Sequence, residues 1–412
     1  MNPNDILAGI RNSSDETKPA IWYLHSRFIE DDGFEKIADE IMAAGIQLAK
    51  STKLKAFDNR VFSRANLPEN LRQFCGQDGQ AYYPAGLTTA ILEFVDRECA
   101  KAKKQFYLTN IGSQIWETLD WCLEERRPCF IEGETGRGKS TAAQAWYEAH
   151  RGEARYVSLP GTRTQRDFFD EIAKALGLQS LSKFPGEIRW RIKDVIIRSG
   201  LILILDEAHH ALPERHKAGR PPLIDWINCD LCNAGVPVVL VSTPQFGPML
   251  SEFENRTTWN AGQFRRRFSG RWSCLPKQTS EEDLTELAER ALPNVGSKGI
   301  DIAVGFAGTM GRDVSGLFDL VRDAERRARK AGHSEVTFQD LRDAYKLDRV
   351  PSENAMANAF KRSSEPLPSA VGETHLPEAG EPAAAPLQRR RATESEFTAP
   401  DRGTSAPLLV TH

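Results

Sequence analysis

The chain has 412 residues, a formal net charge of −3 and 40% hydrophobic residues, an ordinary globular composition with room for two or three domains. The charge balance excludes a wholly basic nucleic-acid binder but not local basic surfaces, because DNA affinity comes from a few phosphate contacts. No apolar run reaches the ~20 residues that span a bilayer, the opening residues lack a basic start followed by an apolar core, and the seven cysteines are dispersed as in a reducing compartment; the expectation is a cytoplasmic protein with no membrane partner.

Residues 1–105 read as a mostly helical N-terminal region. Amphipathic helices are expected over 35–50 and 87–104, with a loop-rich stretch between them marked by Asn66-Leu67-Pro68 and Tyr82-Tyr83-Pro84. Over 106–276 short apolar runs alternate with helical ones. Strands are expected at 128–132, 154–159, 201–205, 236–242 and 271–275, and helices at 139–151, 166–176, 187–198 and 223–234. This alternation defines an α/β class with a parallel sheet covered on both faces. Cys229-x-x-Cys232 lacks a second ligand pair and reads as a buried helix face, not a metal site. From 277 to 350 the pattern is helical throughout, a small lid domain. It opens with Thr279 three residues before Glu282, a capping signature, and continues with helices at 313–330 and 337–346. Pro, Ala, Ser, Glu and Thr dominate from 351, and 351–412 reads as a disordered tail.

The chemistry is carried by four patterns. Gly133-Glu134-Thr135-Gly136-Arg137-Gly138-Lys139-Ser140, followed by Thr141, fits G-x-x-x-x-G-K-[ST] between a strand and a helix. Its glycines let backbone N–H groups point at the phosphates of ATP or GTP, and the helix N-terminus adds partial positive charge. Lys139 reaches the β/γ-phosphates and Ser140 offers a hydroxyl to Mg²⁺. The apolar run Leu201–Leu205 delivers Asp206 to hold Mg²⁺ through water and Glu207 to polarise the attacking water. Thr243, beside Ser242 at the tip of the next strand, is placed to sense the γ-phosphate. Arg265, Arg266 and Arg267 end a helix before the last strand, where an arginine can project into a neighbour's site, and Arg312 opens a lid helix and can reach back to the γ-phosphate.

In this order, these patterns followed by a helical lid resemble an AAA+ ATPase. More narrowly, the chain resembles the MuB/TnsC/TniB transposition regulators, on FYLTNIGSQIWETLDWCLEERRPCFIEGETGRGKSTAAQAWYEAH (106–150), RYVSLP, ILILDEAHHAL, VVLVSTPQF and QFRRRF, over roughly 90–346. The resemblance implies a P-loop AAA+ parallel sheet flanked by helices and ATP with Mg²⁺ as ligands. It also implies a homo-oligomer, ring or helical filament, assembled on duplex DNA. Its partners would be a transposase and a target-selection protein. On it, Lys139, Ser140, Asp206 and Glu207 match Walker positions, Thr243 the first sensor, Arg267 the trans-acting arginine with Arg266 beside it, and Arg312 a second sensor. DNA contacts would come from axis-facing loops, with Arg163 and Arg166 after the second strand and Arg215, Lys217 and Arg220 after the third. The N-terminal region resembles a helix-turn-helix appendage only faintly. Two other P-loop classes compete: a helicase loader similar to IstB/DnaC, and a signalling NTPase. The Asp-Glu-Ala-His string does not make a helicase, since no second parallel sheet is expected after 276.

Overall fold

The chain opens with five helices, α1 (Pro3–Gly9), α2 (Thr17–Asp31), α3 (Phe34–Thr52), α4 (Leu67–Phe74) and α5 (Ala85–Gln105). The computed structural model describes residues 3–10, 15–31, 34–52, 66–75, 85–162, 164–178, 185–213, 219–309 and 312–356. Asn66-Leu67-Pro68 starts a helix and does not belong to a loop. Pro68 falls in the first turn of α4, where its missing N–H has no intrahelical partner to lose.

The central part follows as α6 (Asn110–Glu125), β1 (Cys129–Glu132), α7 (Lys139–Ala149), β2 (Ala154–Ser158), α8 (Gln165–Ala175), α9 (Pro185–Ser199), β3 (Ile202–Asp206), α10 (Pro222–Asp225), β4 (Val238–Ser242), α11 (Phe246–Arg256), α12 (Gly262–Phe268) and β5 (Trp272–Cys274). The five strands pair in parallel in the order β2-β3-β4-β1-β5. Parallel neighbours require long crossovers, which these helices supply. β3 and β4 are buried along their whole length, as strands covered on both faces must be. The helix expected over 223–234 is not uniform. After α10 the turns widen over Trp226–Leu231 and then tighten over Cys232–Ala234, seating Trp226 edge-on against Phe168 and Phe169 at centroid distances of 5.8 and 4.9 Å. Cys229 is exposed and Cys232 half-buried, so the buried face is that of Trp226, Ile227 and Leu231.

Residue 105 is a boundary in composition but not in packing. Trp22, Phe34, Phe74 and Phe94 share one apolar cluster with Phe168, Phe169, Leu203 and Leu205. Buried Arg155 on β2 donates to the Trp22 carbonyl of α2 at 3.1 Å. A Cβ at Gly152 would lie 2.2 Å from the Pro19 carbonyl oxygen, so only glycine admits α2 this closely.

The lid comprises α13 (Glu281–Ala291), α14 (Gly296–Ala307), α15 (Asp313–Ala331) and α16 (Phe338–Asp343), around a separate core that includes Leu284, Ile300, Phe306, Leu317 and Leu341. The N-cap of α13 is Ser280, whose hydroxyl accepts from the Asp283 N–H, and not Thr279. Thr279 is instead buried and gives its own N–H to Asp313 at 3.0 Å. The helical path after α16 runs on to 356, beyond the expected tail boundary at 351, because Glu353 bonds Arg312. Met1–Ala355 is one compact unit and Met356–His412 a second; the rest of the expected tail lies outside the described residues. Among the described residues no helix is long and apolar enough to cross a membrane.

Candidate active site

In a parallel sheet every strand delivers its following loop to the same edge. β1 therefore delivers the P-loop beside the tip of its neighbour β4, with the tip of β3 one strand further along the same edge. A cavity of about 810 Å³ opens there, lined by the P-loop residues 135–141, Glu207 and Thr243, with Phe106, Tyr107, Leu287, Arg290, Val314 and Phe318 on the far side. Its two ends differ in chemistry. The P-loop end is polar, and the far end sets aromatic and aliphatic side chains beside Arg290 and Arg322, a division that suits a nucleotide's phosphates and base.

Gly136 and Gly138 have φ of 83° and 76°. At Gly136 a side chain is doubly excluded, because a Cβ would also meet the Ser315 hydroxyl of α15 at 2.7 Å. The Ser315 N–H donates to the Gly136 carbonyl at 3.1 Å, so the lid touches the P-loop directly. Lys139, at the start of α7, is buried and donates to the Glu134 carbonyl at 2.8 Å. Burial pulls its pKa down, while Glu207, Asp206 and Glu134 push the other way. An anion's negative charge would oppose that desolvation and hold the ammonium charged. Ser140 and Thr141 are exposed toward the cavity.

Asp206 is 2% exposed at the tip of β3. One carboxylate oxygen accepts from the Glu207 N–H at 2.8 Å and the other from the Tyr156 hydroxyl at 2.7 Å. Tyr156 itself has its pKa raised by burial and by Asp206, so its proton stays in place to donate. The hydroxyl of Ser140 and the carboxylate of Asp206 are hard oxygen donors that suit Mg²⁺. Among the described residues no cluster of three or more His, Cys, Asp or Glu side chains is placed to hold a metal, so the phosphates and water would complete such an ion's shell. Glu207 lies in the left-handed region, φ 55°, a conformation that costs a non-glycine residue of order 1–3 kcal/mol and clusters at functional sites. Its carboxylate meets His209 Nδ1 at 3.4 Å, and the same nitrogen lies 3.5 Å from the buried Ser242 hydroxyl. Thr243, not Ser242, faces the cavity, and its hydroxyl has no hydrogen-bond partner.

The arginines separate clearly. Arg267, expected to serve a neighbouring site, is bonded within this chain to the Asn228 carbonyl and side chain and to Asn233. Arg265 pairs with Glu254 at 2.6 Å. The Arg266 side chain is exposed and has no bonded partner among the described residues. All three precede β5, which runs parallel to β1. They therefore sit at the edge of the sheet opposite their own P-loop. Arg312 also departs from expectation. Its guanidinium pairs with Glu353 and lies 4.3 Å over the Phe306 ring, away from the cavity wall. The lid arginines that line the cavity are Arg290, held by Glu286, and Arg322, near Asp319.

Arg137, among the residues lining the cavity, is tied to the lid. It forms a buried ion pair with Asp313, whose φ is 48° and which also accepts from the Thr279 and Val314 N–H groups. Asp313→Ala leaves a buried guanidinium without its counter-charge, which costs about 3–5 kcal/mol; the thermal unfolding midpoint should fall by several degrees, and an unchanged midpoint would mean that Arg137 finds solvent. Of the basic loop residues, Arg166 is exposed at the start of α8 and lies 3.6 Å from Asp170, and Arg220 is exposed before α10. They follow the adjacent strands β2 and β3 at one sheet edge. Arg163, Arg215 and Lys217 lie outside the described residues.

This sheet order, P-loop and helical lid define a P-loop AAA+ fold. Residues 123–250 match the AAA domain family. Solved structures similar to it include the ORC2 protein of Aeropyrum pernix, solved with ADPNP and ADP (16% identity, TM-score 0.43, 58% of this chain and 67% of that one), and the RuvB Holliday junction branch migration motor of Thermotoga maritima (15% identity, TM-score 0.37, 58% and 68%). No curated protein matches the sequence.

Proposed function

We propose that this chain is an Mg²⁺-dependent ATPase that assembles as a homo-oligomer on duplex DNA and regulates a transposase. The observation that carries the assembly is Arg266, unpartnered at the sheet edge opposite its own P-loop, so that a complete site needs two subunits. In this reading the P-loop N–H groups and Lys139 bind the phosphates. Mg²⁺ held by Ser140 and Asp206 would neutralise phosphate charge. Glu207 orients the attacking water and takes its proton, Thr243 bonds the γ-phosphate, and Arg266 of the next subunit stabilises the developing charge. Tyr156 and His209 hold the two acidic side chains in place. Arg166 and Arg220 present cations along one sheet edge to DNA phosphates. The transposase as partner rests on the sequence resemblance around these motifs.

Lys139→Ala should abolish ATP binding and, with it, DNA binding. Fluorescence anisotropy of a labelled duplex with ATP, ADP or no nucleotide tests the switch. ATP should give tight binding with little sequence preference, falling at least about tenfold between 50 and 200 mM salt, since each phosphate contact releases counterion. Equal binding in all three states would remove nucleotide control from the reading. Strand-transfer assays with a candidate transposase test the partner; stimulation of a replicative helicase instead would make it a loader.

A further inference from the structure

A second cavity, of about 490 Å³, lies on the lid between α13 and α14, away from the nucleotide pocket. Its lining is unusual in being acceptor-rich and free of any basic side chain: Gln278, Thr279, Glu281, Thr285 and Asp301, with Leu284 and Val304 as apolar walls. Several other lid carboxylates are engaged. Asp283 accepts from Tyr107 and Asn110, Asp340 pairs with His333, and Asp348 pairs with Arg327. Glu281 and Asp301 have no ion pair among the described residues. Glu281 has a local reason for its charge, since it lies in the first turn of α13 and meets the helix dipole. Asp301 lies in the middle of α14, where the dipole offers nothing.

A second observation points into the same cavity. Thr279 is 5% exposed, and its hydroxyl oxygen is buried without a hydrogen-bond partner. A buried polar atom left unpaired is costly, so it marks a place where a donor is missing. Two exposed carboxylates with no ion pair, beside one buried unpaired hydroxyl, make a rim that suits a positively charged group that only donates. A guanidinium has five N–H donors in a fixed fork and no acceptor. Its aliphatic stem would lie along Leu284 and Val304.

The cavity is also wired to the P-loop. The Thr279 N–H donates to Asp313 Oδ2 at 3.0 Å, and this same oxygen takes Arg137 of the P-loop. We propose that the α13–α14 cavity docks an arginine side chain of a partner protein, and that its occupancy is relayed through Thr279, Asp313 and Arg137 to the nucleotide site. The docking claim stands apart from the proposed ATPase function; the relay rests on it. By linkage, ATP then changes the affinity for the arginine by the same factor that the arginine changes the affinity for ATP.

The test uses the full chain with methyl-labelled leucine and valine, titrated with acetyl-arginine-amide and with its neutral isostere acetyl-citrulline-amide. The arginine probe should shift the Leu284 and Val304 methyl resonances and citrulline should not. Asp301→Asn should weaken the probe about tenfold, the worth of one charge-assisted bond. Saturating probe should change the affinity for a non-hydrolysable ATP analogue severalfold in the unsubstituted protein and not in Asp313→Asn, where asparagine tolerates the left-handed backbone; Arg137→Gln serves if that variant unfolds. Equal shifts with citrulline, or unchanged binding in Asp301→Asn and Glu281→Gln, would overturn the site. Probe binding without any change in nucleotide affinity would overturn the relay alone. If sedimentation shows self-association that Asp301→Asn abolishes, the occupant is a second copy and the partner assignment fails.

Discussion

Arg266→Ala should keep ATP binding and lose hydrolysis by about 10³–10⁵-fold, the usual worth of an arginine supplied across an interface. The neighbouring substitutions should behave differently. Arg265 is held by Glu254 and Arg267 by Asn228 and Asn233, so their loss should act mainly on stability and packing. If Arg266 serves the proposed site, hydrolysis should depend on a second subunit, because the start of β5 and the end of β1 lie at opposite sheet edges, separated by a strand of about four residues or roughly 13 Å. Specific activity should rise with protein concentration and rise further on DNA. Mixing Arg266→Ala with Lys139→Ala should restore part of the activity, since one mixed interface unites an intact Lys139 with an intact Arg266. No recovery on mixing, with Arg267→Ala inactive and Arg266→Ala unimpaired, would return the role to Arg267 despite its internal bonds.

Glu207→Gln should bind ATP with unchanged affinity and slow turnover by about 10²–10⁴-fold, the range for loss of a general base. Glutamine keeps the shape of glutamate and its contact distance to His209, so the left-handed turn at φ 55° is preserved while the proton acceptor is removed. Complexes with DNA formed in ATP should then persist, as release would need hydrolysis. Single-turnover kinetics with labelled ATP separate the two steps. Wild-type turnover in Glu207→Gln would move the base elsewhere, and His209, 3.4 Å away, is the first residue to substitute next.

Much of this was legible in the chain itself. The P-loop, the apolar run ending in Asp206-Glu207, and Thr243 at the tip of the next strand are local: each depends on a strand followed within a residue or two by a polar group, and strand periodicity reveals it. The parallel α/β architecture followed from the alternation alone. What tertiary structure decided is where long side chains go. Arg137 stands within the P-loop, and its side chain pairs with Asp313, 176 positions away. Arg312 looked free to reach the phosphate and is held by Glu353. Arg267 fitted the motif better than Arg266, but packing against the widened turns at 226–231 uses up its guanidinium. Tyr156 and His209 carried no recognisable pattern, because their partners Asp206 and Ser242 come from other strands. An arginine can span several ångströms in many directions, and which carboxylate or carbonyl captures it is set by folding of distant segments, so sequence spacing names the candidates while the packed structure selects among them.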